Sequence, residues 1–247
     1  MPQTFFEWII YLWKEYYPLF IKGASTSLLI AFFGTILGFV IGLLVAIIRT
    51  IPSQDNDNVF KKYFIKGIQA ILVAYIEVFR GTPLMVQAMV IYYGLLRFTS
   101  LKLPLIVASF LIVGVNTGAY MCEIMRSGIT SVDMGQIEAG ASIGMSHWKI
   151  MRHVVLPQAI RNVLPSLGNE LVVNVKDSSV LNVIAVSELF FVAKSASGTY
   201  LKYFEVYTIV AFIYLIITLV LSKILKTVEK RIDGPENYSL NEDVRHE

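Results

Sequence analysis

The chain is 247 residues long, 55% hydrophobic and only 16% charged, with a net charge of +3 and a mean hydropathy of +0.63; that balance excludes an ordinary soluble domain and points to a single membrane-embedded one. Its basic residues fall in short clusters between apolar runs, without the one-faced basic stripe of a nucleic-acid binder. The single cysteine, Cys122, allows no intramolecular disulfide and offers no Cys/His spacing for zinc.

The N-terminal stretch MPQTFFEWIIYLWKEYYPLFIK lacks the basic start and small-residue cleavage site of a signal peptide and is expected to stay on the mature protein. Its aromatics, broken by Glu7, Lys14 and Glu15, suit a helix at the headgroup level or the first turn of the first span. A bilayer core about 30 Å thick needs about 20 apolar residues in helix. The expectation is an all-α integral membrane protein, one transmembrane domain over 1–232, with five spans near 19–48, 62–98, 103–127, 157–186 and 203–226.

The first span is free of charge from Gly23 to Ile48. It carries Gly34, Gly38 and Gly42 at four-residue spacing, a face that lets another helix, or a second subunit, come close. The second is interrupted by EVFRGTP, residues 77–83. Pro83 lacks an N–H and disfavours helix at Thr82, while Gly81 relaxes the backbone, so one long span is expected to kink there. Glu77 and Arg80, three residues apart, are placed to pair and hold that kink. The third span is one of nearly spanning length, on which Asn116, Tyr120 and Glu123 recur on one helical face.

Residues 133–156 interrupt this apolar pattern. Asp133 can cap a helix whose third position is Gln136, Gly144 suits the left-handed position after its end, and Ser146 can cap a second helix that should yield before Pro157. The loop is expected to be helix, glycine turn, helix, with apolar side chains left to dock onto a partner or lie on the membrane. The run from Pro157 to Ala193, which holds the fourth span, carries Arg161, Asn169, Glu170, Asn174, Lys176, Asp177, Ser178 and Glu188, more polarity than a lipid-facing helix tolerates. The fifth precedes a polar tail, 233–247. With the N-terminus outside and the C-terminus in the cytoplasm, the inner loops collect Arg49, Lys61, Lys62 and Lys66, then Arg126, Lys149 and Arg152, then Lys223, Lys226, Lys230 and Arg231. The loop 133–156 is then cytoplasmic.

The spacing of Glu138, Ala139 and Gly140, then Gly144, then Leu156 and Pro157 resembles the EAA loop of ABC importer permeases, with Gly140 in place of the second alanine and Val154 in place of isoleucine. EVFRGTPLMVQ, residues 77–87, and KDSSVLNVIAVSEL, residues 176–189, resemble the polar amino acid importers of the histidine, glutamine and arginine type, over nearly the whole chain. The resemblance implies the type I importer fold and a bacterial cytoplasmic-membrane permease subunit. It implies an EAA loop seated in a separate ATPase dimer, which holds ATP and Mg. It further implies an extracellular binding protein and a second permease copy or a sister permease. The chain has no GxxxxGK[ST] nucleotide loop and no catalytic triad, so it is expected to be no enzyme and to hold no cofactor itself. An amino acid crossing an apolar region needs polar groups along its way; the candidates are Gln87, Asn116, Tyr120, Glu123, Asn174, Asp177 and Ser178. The competing reading is an ion-coupled secondary transporter, which would use the same acids but have no need of a docking loop.

Overall fold

The structure is a computed structural model that describes residues 2–51 and 59–233. All regular structure among these residues is helical: α1 (Phe5–Arg49), α2 (Val59–Gly81), α3 (Leu84–Thr99), α4 (Leu105–Thr130), α5 (Met134–Ser142), α6 (His147–Ile150), α7 (Leu156–Asp177), α8 (Leu189–Tyr200) and α9 (Tyr203–Asp233). A π-helical turn, Met151–Val155, joins α6 to α7, and a 3₁₀ helix, Ser178–Ile184, extends α7. Three helices, α1, α4 and α9, are long and apolar enough to cross a membrane, and up to five crossings result if each of two bent helix pairs counts as one. The tail beyond residue 233 lies outside the described residues.

At the N-terminus, helix α1 follows the second of the two expected forms, continuous with the first span. It runs unbroken for 45 residues through Pro18, about 68 Å at 1.5 Å per residue. It starts at a capping box in which the Thr4 hydroxyl accepts from the Glu7 N–H and the Glu7 carboxylate accepts from the N–H of Thr4. No separate headgroup-level helix precedes the first span. Trp8, Leu12 and Phe20 are buried against α8 and α9 instead, and this packing draws the N-terminal segment into the bundle.

The main helix contact is α1 against α4, and glycine sets it. A Cβ on Gly38 would fall 2.7 Å from Thr117 Cβ, one on Gly34 2.5 Å from Val113 Cγ1, and one on Gly42 would run into Met121. The fit is reciprocal, because a Cβ on Gly114 or Gly118 would meet Leu37 or Ile41. The glycine face expected from sequence is therefore filled from within the chain. Around it, α2 is tied to α4 by the Tyr75 hydroxyl, which donates to the Val115 carbonyl.

Two turns depart from the expected spans. α2 and α3 meet at 116°, a corner rather than a kink. At the other end, α6, the π turn and α7 form one helical run past Pro157, where a stop was expected. The widened turn, in which the Leu156 N–H reaches the Met151 carbonyl, gives the proline ring room that an α-helical turn denies it. The run bends by 55° between Ile184 and Leu189. There Ala185 takes a left-handed φ of 65°, and buried Glu188 caps α8 by accepting from the N–H groups of Phe190 (2.8 Å) and Phe191 (2.7 Å) and from the Tyr214 hydroxyl of α9 (3.2 Å). Gly23 of α1 packs directly on the backbone at Leu189.

Gly42→Leu is expected to lower the thermal midpoint of the detergent-purified protein by the equivalent of about 1–3 kcal/mol of overpacking. Gly67→Ala, at a position with open space around it, should leave the midpoint nearly unchanged in the same fluorescence-monitored melt.

Candidate functional site: a polar cavity and a two-helix loop

The α2–α3 corner is built from hydrogen bonds. The Gln87 side-chain amide donates to the Phe79 carbonyl, the Thr82 carbonyl and the Thr82 hydroxyl, each at 2.9 Å, and so satisfies the carbonyls that α2 leaves open at its end. Asn116 of α4 completes the arrangement by donating to Gln87 Oε1 (2.9 Å) and to the Phe79 carbonyl (3.3 Å). Both side chains are buried, at 6% and 8% exposure. Glu77 and Arg80 do not pair with each other; Glu77 is exposed, and the Arg80 guanidinium lies over the Tyr120 ring at 5.6 Å. The corner is thus held by two amides, and the expected ion pair is absent among the described residues. Gly81 and Pro83 sit at its apex, with Pro83 as the N-terminal cap position of α3.

Beside this corner lies a cavity of about 440 Å³ bounded by Thr82, Pro83 and Leu84, by Asn116 and Tyr120 of α4, and by Glu170, Asn174 and Asp177 of α7. Its volume falls within the ~300–1,000 Å³ of small-molecule sites. The expected residues Asn116, Tyr120, Asn174 and Asp177 come together here. Glu170 belongs to the same fourth-span stripe, four and seven residues from Asn174 and Asp177, and joins them at this cavity. Thr82 had no such signal, because only the corner turns it inward. Asn174 is 3% exposed and committed on both sides: it accepts from the Thr117 hydroxyl of α4 (3.1 Å) and donates to the Thr35 hydroxyl of α1 (2.8 Å). The half-buried carboxylates of Glu170 and Asp177 have no hydrogen-bond or ion-pair partner among the described residues. Lys176 is exposed, and as an adjacent helix position it lies about 100° around the axis from Asp177.

Three expected path residues lie elsewhere. Gln87 braces the corner. The Ser178 hydroxyl, fully buried, bonds back to the Val175 carbonyl at 2.8 Å. Glu123 is held by the guanidinium of Arg49, at the end of α1, and by that of Arg126 at 3.0 Å. It borders a different cavity, with Ser127, Ser131, Asn162 and Ser166. Two helical turns separate it from Asn116, and a shared face did not make a shared cavity.

The loop forms the helix, glycine turn and helix expected. Asp133 Oδ1 accepts from the Gly135 N–H at 2.7 Å and caps α5, although Gln136 does not return the bond that a capping box needs. α5 ends in a paired turn: the Met145 N–H reaches the Gly140 carbonyl (3.1 Å) and the Gly144 N–H the Ala141 carbonyl (3.0 Å). Gly144 takes φ +79°, a conformation that favours glycine. Ser146 stands at the start of α6 without a side-chain cap bond. The loop has two sides. Gly140 packs on Ile150, and Ile150, Met151 and Val155 join a core with Val45, Ala46, Cys122, Met125 and Ile129. On the other side Met134, Ile143 and Trp148 are 64%, 77% and 57% exposed, and Glu138 and Ala139 are exposed with them. Leu156 and Pro157 open α7 behind the π turn.

Residues 63–234 match the family described as binding-protein-dependent transport system inner membrane component. The chain is 38% identical over 228 residues to the glutamine transport system permease protein GlnP of Escherichia coli (strain K12), covering 92% of this chain and 98% of that one. It is 30% identical over 215 residues to the arginine transport system permease protein ArtQ of Bacillus subtilis (strain 168), covering 87% and 93%. A crystal structure of an amino acid ABC transporter with histidines matches at a TM-score of 0.78 and 38% identity, over 94% of this chain and 100% of that one. An inward-facing structure of the MetNI methionine ABC transporter matches in fold, with a TM-score of 0.68 at 20% identity over 87% and 94% of the two chains.

Gln87→Leu leaves the Thr82 carbonyl without this donor and the Phe79 carbonyl with only the Asn116 amide at 3.3 Å, at about 1–3 kcal/mol for a buried group left unpaired. The expected result is a lowered melting midpoint in detergent. In a double-mutant cycle with Asn116→Ala the two losses should be clearly less than additive, because the side chains share one network.

Proposed function

This chain belongs to the binding-protein-dependent transport system inner membrane components, and we propose that it is the permease subunit of an ATP-driven importer of polar amino acids. The observation that carries the reading is the two-sided loop. Its inner side is packed into the core at the ends of α1 and α4, and its outer side exposes apolar side chains to be covered by a partner. The relatives, named as glutamine and arginine transport permeases, and the amino acid ABC transporter of matching fold support the amino acid class.

In this proposal the helix pair around Glu138, Ala139, Gly140 and Gly144 seats in a cleft of an ABC ATPase dimer, which binds ATP and Mg. Motion of the ATPase reaches the bundle through the continuous helix that runs from α6 past Leu156 and Pro157 into α7, whose far end carries Asp177. The bundle crosses the bacterial cytoplasmic membrane five times, with the N-terminus outside and the C-terminus inside. Support comes from Arg49 and Arg126 near the ends of α1 and α4, on the side where the loop packs, and from Lys223, Lys226, Lys230 and Arg231 at the end of α9. A second copy or a sister permease supplies the other wall of the path, and an extracellular binding protein delivers cargo. Within the path, Glu170 and Asp177 meet the positive groups of the cargo, because a carboxylate in an apolar setting is costly until paired. Gln87, Asn116 and Asn174 hold the walls around them, and Arg80 stacks on Tyr120 at the rim.

Gly144→Val forces a β-branched residue into a left-handed turn at a cost of about 1–2 kcal/mol. In proteoliposomes holding the whole complex, amino acid uptake per ATP hydrolysed should then fall roughly tenfold while membrane insertion is kept. Wild-type coupling in that variant, or uptake driven by an ion gradient without ATP, would count against the proposal. Asp177→Asn and Glu170→Gln are expected to reduce uptake: alike for all cargo if the acids read the α-ammonium, and for arginine and lysine alone if they read a side chain. Unchanged uptake of every amino acid in both variants would remove the cavity from the path.

A further inference from the structure

Helices α4 and α7 border a second cavity, toward the loop. It measures about 650 Å³, and its polar lining is Glu123, Ser127 and Ser131 with Asn162 and Ser166. The upper and lower cavities fall on one strip of each helix. Asn116, Tyr120, Glu123 and Ser127 follow one another at steps of three or four on α4; Asn162, Ser166, Glu170, Asn174 and Asp177 do so on α7. The two helices are bridged at both levels, by the Thr117 hydroxyl on Asn174 (3.1 Å) and by the Asn162 amide on the Ser131 hydroxyl (3.0 Å). Asn162 and Ser131 are taken up by this bridge, as polar side chains between packed helices often are. The Ser127 and Ser166 hydroxyls are exposed beside the cavity and have no hydrogen-bond partner among the described residues, so they are open to a polar cargo or water.

The charge differs along this strip. The upper cavity is lined by the carboxylates of Glu170 and Asp177, with the Arg80 guanidinium held over the Tyr120 ring at its rim. Glu123 is the one acid that lines the lower cavity, and Arg49 and Arg126, which pair with it from beside that lining, leave the three groups with one surplus positive charge. Arg126 is the more exposed of the two arginines, at 46% against 21%.

We infer that the lower cavity is a cytoplasmic release station for the amino acid. Its carboxylate is met by Arg126 and the surrounding hydroxyls, and its ammonium, favoured above, finds no free acid. The inference rests on the importer reading and adds a second station with its own residues. A cargo passing from an acidic to a basic environment loses the interaction that held it, and its return is disfavoured by the same difference.

Cysteine chemistry tests this directly, because the one native thiol, Cys122, is fully buried. S127C and S166C are introduced into the full transporter in inside-out vesicles. They are treated with anionic and cationic methanethiosulfonates, with glutamine or arginine as the probe cargo. Both cysteines should react from the cytoplasmic side, cargo should slow the reaction, and the modified transporter should lose uptake. The anionic reagent should react faster than the cationic one at S127C, by roughly threefold or more from one unit charge a few ångströms away in water, and Arg126→Gln should erase that preference. Modification that cargo does not slow and that leaves uptake intact overturns the station. Uptake that proves ion-driven would end the importer reading, yet protection by cargo at the two cysteines would still decide whether the station exists.

Discussion

The close approach of α1 to α4 is the constraint on which the rest of the molecule depends. With no side chain at Gly34, Gly38 and Gly42, the helices come near enough for Val113, Thr117 and Met121 to fill the space a Cβ would need. In a membrane this contact cannot draw on the hydrophobic effect, since lipid tails are as apolar as the side chains they would replace, so close van der Waals packing has to hold it. Once α1 and α4 are fixed, Thr35 and Thr117 are placed to bind Asn174 from both sides. Val45, Ala46, Cys122 and Met125 then form the floor on which the loop rests. A shift in the seam would disturb the cavity and the loop together.

Polar groups in the bundle serve two ends, and hydrogen bonding separates them. Gln87, Asn116, Asn174, Ser178 and Glu188 are buried and have partners; they close corners, cap helix ends and tie helices together. Glu170 and Asp177 are only half-buried and have none among the described residues. A buried polar group without a partner is costly, so groups left open beside a cavity mark where an external partner is expected to come. This divides one polar stripe into scaffold and site, although the residues alternate along the same helix. The continuous helix from the loop through α7 joins the loop to the cavity. The π turn at Met151–Val155 lets Pro157 sit inside a rod that would otherwise break between loop and cavity.

Much of this was legible in the residue order. Hydropathy and length gave an all-helical membrane protein. The spacing of the glycines marked a packing face, and the Asp133 cap with Gly144 gave the helix, turn and helix of the loop. These are local properties, set by backbone conformation and by periodicity within one helix, so the sequence by itself determined them, and with them the resemblance to importer permeases. It did not determine which helix the glycine face meets, that α2 and α3 turn by 116°, or that α6 and α7 are one helix across Pro157. Nor could it divide the polar stripe. Asn116 and Tyr120 share a helical face with Glu123, yet the partner helices give the first two to the upper cavity and Glu123 to the lower one with Arg49 and Arg126. Only the tertiary structure decided these points, because they depend on contacts between residues far apart in the chain, and a periodicity states which side chains share a face but not what that face will touch.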